Sequence, residues 1–369
     1  MKTIVNTTAK NWPDKNLKNM HAKLNLKLDI QKRRLFNYFV TFVFLLSQVC
    51  FLYGQSLDIP VKGYGISFGN SKKFCGLRFN FRDKEVERID GMNFTFWKSE
   101  KNDNSIMRGI SLGVMPEAGN MGYVQLGFGV AAAKNLSGLS IGVIGVGSGE
   151  DMKGINIGGL GAGAGQNAIG LNLALLGVGA GQNLYGINIG GLGAGAGQDA
   201  VGLNLALLGV GAGQNLYGIN LAGLGAGSGQ NVAGINFGGL GAGAGQIMTG
   251  VNIGGLAVGA GQELRGISIG LLGAGAPRIK GITLAGIGIG GTEITGLTIA
   301  MAHIRIEDNG ILTGLTASAF TYIKGLLKGV SLGIFNYAYE VNGVQIGLLN
   351  YVADNPSGLK ILPLFNTNL

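Results

Sequence analysis

In a chain of 369 residues, 71 glycines and a hydrophobic share of 46% exclude an ordinary helical or mixed core. Glycine at nearly three times its usual ~7% costs too much backbone entropy for helix, so the apolar content points to β structure. The formal charge of +9 does not mark a nucleic-acid binder, because residues 1–53 carry nine Lys or Arg against Asp14 and Asp29 and the remainder is close to neutral, whereas phosphate binding needs a clustered basic face on the folded part.

The first predicted element is an export leader over residues 1–54. The basic run Lys32-Arg33-Arg34 precedes an apolar stretch from Leu35 to Tyr53, and the chain turns polar at Gly54-Gln55-Ser56, the layout of a signal peptide cut after Gly54. An uncleaved anchor is the alternative, since the apolar stretch is longer than usual. Val49 before Cys50 is too bulky for lipid attachment. Beyond the leader only Cys75 and His303 remain of their kinds, so the sequence offers no intramolecular disulfide, Cys/His metal cluster or histidine-based triad.

Next come atypical N-terminal repeats and a cap over 55–137, regular glycine-rich repeats over 138–300, and atypical C-terminal repeats and a cap over 301–369. The regular unit is Gly-Ile-Asn-Ile-Gly-Gly-Leu-Gly-Ala-Gly-Ala-Gly-Gln plus three variable residues, starting at Gly154. It recurs every 16 residues at Gly170, Gly186, Gly202, Gly218, Gly234, Gly250 and Gly266. The block 170–182 returns unchanged at 202–214, which indicates that two units were duplicated together. Looser copies start at Gly76, Gly91, Gly109, Gly138, Gly281, Gly296, Gly314, Gly329, Gly343 and Gly358, with Tyr123 once in place of the glycine.

Two late units, Gly329-Val330-Ser331-Leu332-Gly333-Ile334-Phe335-Asn336 and Gly343-Val344-Gln345-Ile346-Gly347-Leu348-Leu349-Asn350, resemble the short surface-repeat proteins of bacteria, built on a Gly-apolar-Gln-apolar-Gly-Leu-apolar-Asn unit. The resemblance implies export and no catalytic function. The central units depart from it by closing on Gly-Leu-Gly and adding Ala-Gly-Ala-Gly-Gln.

Alternation of Ile155 and Ile157 about Asn156 is a strand signal, and Leu160, Ala162 and Ala164 continue it in opposite parity. A corner at Gly158-Gly159 would bring all five into one narrow core, closed by a turn around Asn167, Ala168 and Ile169. The predicted fold is therefore an all-β, glycine-rich solenoid of about 16-residue units. Stacked amides would form one ladder from Asn156 to Asn252 and another from Gln166 to Gln262. The alternative is a transmembrane antiparallel β-barrel with one strand per unit, acting as a pore. Aromatic residues near both ends, among them Phe79, Phe94 and Tyr337, are expected to cap the stack.

Three motifs suggest chemistry without supplying its context. Gly286-Ile287-Gly288-Ile289-Gly290-Gly291 has dinucleotide-fingerprint spacing but runs into another repeat instead of a helix. His303, Arg305 and Glu307 alternate on one strand face in the manner of a solvated strand, with no second histidine or paired-carboxylate signature. Cys75 reads as a reduced, buried thiol. The expected function is a non-catalytic, exported surface or envelope protein, structural or adhesive, located at the cell surface, in the outer membrane or secreted. A polysaccharide-acting β-helical enzyme is the remaining alternative. No catalytic, cofactor or metal residue is assigned. No partner is named either: envelope or extracellular polysaccharide, matrix and membrane all remain compatible, and nucleic acid is excluded.

Overall fold

The computed structural model describes residues 30–38, 40–41, 56–61, 64–100 and 102–368. The leader expected over 1–54 lies outside them except for residues 30–38 and 40–41. Residues 30–38 are helical, and among the described residues no helix is long and apolar enough to cross a membrane.

Each regular repeat forms one coil with bends at fixed places. In the coil after Gly165-Gln166, the strand Asn167–Ala174 turns at Gly170, bends at Leu175-Leu176, continues as Gly177–Ala180 and bends again at Gly181-Gln182. The next coil lies directly above: Gly170 pairs with Gly186 and Asn172 with Asn188, and Gly177 pairs with Gly193, both ladders parallel. Parallel pairing of residue i with i+16 continues through the strict repeats. The result is a β-solenoid of about 15 turns and not a barrel, because one strand per unit in a barrel requires antiparallel neighbours. At ~4.8 Å per coil the rod is roughly 70 Å long.

The turn that makes a coil is the first glycine of the unit. Gly154, Gly170, Gly186 and Gly202 have φ of 108 to 120°, a region closed to residues with a side chain. A Cβ on Gly202 would sit 2.1 Å from the carbonyl oxygen of Gly186, so the sequence needs glycine here for two reasons at once. Tyr123, with φ of 80°, is the exception, in the irregular N-terminal coils.

The expected core is half right. Ala162 and Ala164 point inward at 3% and 8% exposure, but Ile155 and Leu160 are 43% and 49% exposed, and Asn156 is fully buried. The corner at Gly159-Leu160 exists, yet it does not reset the alternation, so Ile155 and Ile157 stay outside while Asn156 and Gly158 face in. Nor do Asn167, Ala168 and Ile169 form the closing turn. They open a strand, with Ala168 at 0% exposure.

The reason is the size of the coil. Its interior positions accept few large side chains, and a buried amide is tolerable when both its hydrogen-bonding ends are matched. Stacked asparagines meet that condition: Asn156 Nδ2 donates to Asn172 Oδ1 at 2.9 Å, and the chain of bonds continues through Asn188, Asn204, Asn220 and Asn236 to Asn252 at 2.8–2.9 Å. The third residue of nearly every unit is polar and inward, from Ser67, Arg78 and Asn93 through the asparagines to Thr298, Ser331 and Gln345, all nearly or fully buried. A polar spine runs the length of the rod.

The apolar core beside it is shared between coils. Leu184 stacks on Ala168, Gly190 on Ala174 and Ala194 on Val178. Leucine, glycine and alanine in one coil thus carry as many side-chain carbons as two alanines and valine in the coil below. Constant interior volume preserves close packing, and it gives a physical reason for the duplicated pair of units.

At the ends the chain reverses. Leu57–Val61 pairs antiparallel with Tyr64–Phe68, and Ile361–Asn366 pairs antiparallel with the last coils, which occupies edges that would otherwise present unpaired backbone. The aromatic residues expected to cap the stack run along its outside: Phe68, Phe79 and Phe94 stack at 5.6 and 5.0 Å, and Tyr322, Tyr337 and Tyr351 at 4.6 and 5.1 Å.

Candidate functional surface

The side of the coil from Ile155 to Leu160 presents the largest aliphatic residues to solvent. Ile155, Ile187, Ile219 and Ile235 are 42–47% exposed, and Leu160, Leu192, Leu224 and Leu240 are 43–51% exposed. Register places Ile155 below Leu171, Ile187, Leu203, Ile219 and Ile235 in one column. Backbone bonds from Leu176 N to Leu160 O and from Leu192 N to Leu176 O, 2.9 and 2.7 Å, align the corner leucines in another. An apolar face this continuous exceeds the scattered hydrophobics of a usual soluble surface. Periodicity revealed these residues, but assigning them to the core hid the face.

The expected glutamine ladder does not form. Gln166, Gln182 and Gln198 are exposed at a corner, joined through backbone bonds of 2.8 and 2.7 Å rather than through their amides. The second ladder belongs to the next residue. Asn167 Nδ2 donates to Asp151 Oδ1 and Asn183 Nδ2 to Asn167 Oδ1, each at 2.8 Å, while Asn215 Nδ2 donates to Asp199 Oδ1 at 2.8 Å and Asn231 Nδ2 to Asn215 Oδ1 at 2.9 Å. Asp199, the sole ionisable acid or base between Lys153 and Glu263, is therefore an acceptor within a ladder. The signal was present in the sequence, as Asn or Asp opens the variable triplet in five successive units.

Two charged clusters bracket the uncharged coils. Near the N-terminus, Arg78 occupies the polar spine, fully buried, and pairs with Asp83 while its Nη1 also donates to Asn93 Oδ1 at 2.7 Å. Burial pushes the Asp83 carboxyl up, but the Arg78 charge with hydrogen bonds from Thr95 and Asn80 outweighs it and holds the group below the ordinary carboxylate range. Toward the C-terminus, Glu263 is 1% exposed and lies 2.7 Å from Arg265 Nη2 and 3.1 Å from Lys280 Nζ.

The Arg265 hydrogen bond, helped by Lys280 against the cost of burial, lowers the Glu263 pKa from 4.5 to about 2. A depressed folded-state value means stability present above the unfolded pKa and lost as pH falls from 4.5 toward 2. Glu263→Gln is expected to flatten that part of the melting temperature against pH curve relative to wild type, and an unchanged acid slope would remove Glu263 from the account.

The remaining motifs are placed as follows. Gly286-Ile287-Gly288-Ile289-Gly290-Gly291 runs from a bend into the strand Gly288–Ala300, with no helix following. His303 stacks on Gly288, half-buried, while Arg305 and Glu307 are exposed and paired at 3.2 Å, and Asp308 meets Lys324 at 2.8 Å. The strand therefore has the alternation expected of it. Cys75 is a free thiol, half-buried rather than buried, and stacks against Asp90.

No protein-family model, no curated protein and no solved structure matches this chain, so its functional reading rests on the surface it presents.

Proposed function

We propose that this is a non-catalytic, exported surface or envelope protein with a structural or adhesive role. The observation that carries the reading is the outward placement of the isoleucine and leucine columns across coils that contain Asp199 as their one ionisable acid or base. Large, uncharged apolar surface is costly to leave in water and serves contact with another surface. The basic-then-apolar leader and the likeness of the late units to bacterial surface repeats support export. A pore would need barrel strands, which the chain does not form.

The test is fractionation of expressing cells with N-terminal sequencing, followed by protease treatment of intact cells. The expected result is a mature chain beginning at Gln55, with peptides of the solenoid released from the cell exterior. Recovery in soluble cytoplasm with the leader intact would overturn the proposal.

A further inference from the structure

The apolar face has relief as well as chemistry. In the column that contains Gly159, successive coils carry Gly159, Leu175, Gly191, Leu207 and Gly223, held in line by bonds such as Leu175 N to Gly159 O and Leu207 N to Gly191 O at 3.2 and 3.0 Å. Leu175 and Leu207 are 71% and 67% exposed, and between them the glycines leave gaps. Gly191 and Gly223 flank the Leu207 knob in a shallow apolar depression of about 480 Å³ whose other walls include Ile189, Leu205, Leu221 and Phe237. Knob and gap alternate from Val143 to Gly223, a repeat of about 10 Å at ~4.8 Å per coil, and Gly239 and Gly255 extend the last gap to Leu271.

We infer that this face binds a second copy of the same chain, the two rods lying antiparallel. The partner must be apolar, free of charge on the contact side, nearly flat, and patterned with knobs at the same two-coil period. The face itself has all four properties. A two-fold axis perpendicular to the rods, passing midway between the Gly191 and Leu207 rows, sets Leu207 of each copy over Gly191 of the other. It also sets Leu175 over Gly223, so every knob meets a gap in a closed, isologous contact. Sheets packed this way lie ~10 Å apart with interdigitated side chains.

The size is sufficient. The aliphatic rows run from Val143-Ile144 to Leu271-Leu272, nine coils of roughly 4.8 Å, and each side from Ile155 to Leu160 is about 16 Å wide at ~3.3 Å per residue. Covering it removes roughly 700 Å² on each copy, or about 1,400 Å² in total, within the span of stable specific interfaces. Because the face lacks charge, identical copies meet without repulsion.

The experiment is analytical ultracentrifugation of the purified full chain, and it does not depend on where the protein resides in the cell. Wild type is expected to be dimeric. The double substitution Leu175→Asp and Leu207→Asp should raise the dissociation constant at least ~100-fold with the melting temperature and far-UV circular dichroism unchanged, since both side chains are exposed in the single chain. Filling a gap with Gly191→Leu should weaken the dimer at least ~10-fold, whereas Gln198→Asp, at an exposed corner off the face, should not. A wild type that stays monomeric at ~100 μM, where a complex of this size is expected to be populated, would overturn the inference. So would dimers indifferent to the Leu175/Leu207 pair. Monomers that instead bind neutral phosphatidylcholine vesicles through this face would transfer it to lipid and equally overturn the dimer.

Discussion

Replacing Gly202 by valine is expected to collapse the cooperative unfolding of the regular coils, while placing leucine at Gly191 strains one corner at a smaller cost. Both glycines have a carbonyl oxygen where a Cβ would go, Gly186 O at 2.1 Å and Leu175 O at 1.7 Å. They differ in backbone and in precedent. Gly202 has φ of 120° and stacks on Gly186 at 108° and Gly218 at 109°, so a side chain there faces steric exclusion by its own backbone and by the coil below, a cost of about 3 kcal/mol or more.

The Gly191 column, by contrast, already carries Leu175 and Leu207 in neighbouring coils. The leucine-bearing bends bond differently, Leu175 N to Gly159 O where Gly191 N bonds to Ala174 O, so a leucine at Gly191 forces that bend to shift, and the expected cost is about 1–3 kcal/mol. Thermal unfolding followed by far-UV circular dichroism decides the matter, and equal melting temperatures for Gly202→Val and wild type would show that the coil does not need its positive-φ glycine. Because each coil contacts only its neighbours, the damage should spread from coil 202 as local fraying before the ends melt.

The second large effect concerns the spine. Asn204 accepts from Asn188 and donates to Asn220 at 2.9 and 2.8 Å, in a site with no solvent exposure. Asn204→Leu keeps the volume but strands one donor and one acceptor, at about 1–3 kcal/mol for each. Asn204→Asp separates packing from hydrogen bonding through pH. A neutral carboxyl can accept from Asn188 Nδ2 and donate its proton to Asn220 Oδ1, whereas an ionised one is desolvated and faces the Asn220 oxygen with no proton to offer.

Burial and that geometry raise the folded-state pKa above the unfolded value of ~3.9. The folded variant therefore holds its proton more tightly, and its stability is fully present below that value and lost as pH rises through the raised one. The difference in melting temperature between wild type and Asn204→Asp should accordingly widen from pH 3 to pH 7. A gap that stays constant over that range would mean the position does not require a donor toward Asn220.

Sequence by itself determined the 16-residue period and, for the solenoid it favoured over an antiparallel barrel, the Asn156–Asn252 ladder, because in a parallel stack a repeat without insertions brings identical residues together. The parallel pairing itself was decided by the structure. Nor did sequence determine where the special backbone lies: the expected corner glycines Gly158-Gly159 are not the ones with positive φ, which are Gly154, Gly170 and the other unit-initial glycines. What only the tertiary structure decided is which side of the strand faces in. Ile155, Asn156 and Ile157 read as a strand with aliphatic residues inside and the amide outside, by the ordinary logic of burial. The interior does take large apolar side chains, but in the column of Met152, Ala168, Leu184 and Leu216 and not at the positions of Ile155 and Ile157. Here the coil closes around Ala162, Ala164 and Ala168, and the amide, which completes its hydrogen bonds only with the coils above and below, is stabilised more by burial in a ladder than by exposure. The same inversion moved the second ladder from Gln166 to Asn167 and turned the predicted core into an exposed aliphatic face. Width is set by all the corners acting together, and no single repeat of 16 residues contains that information.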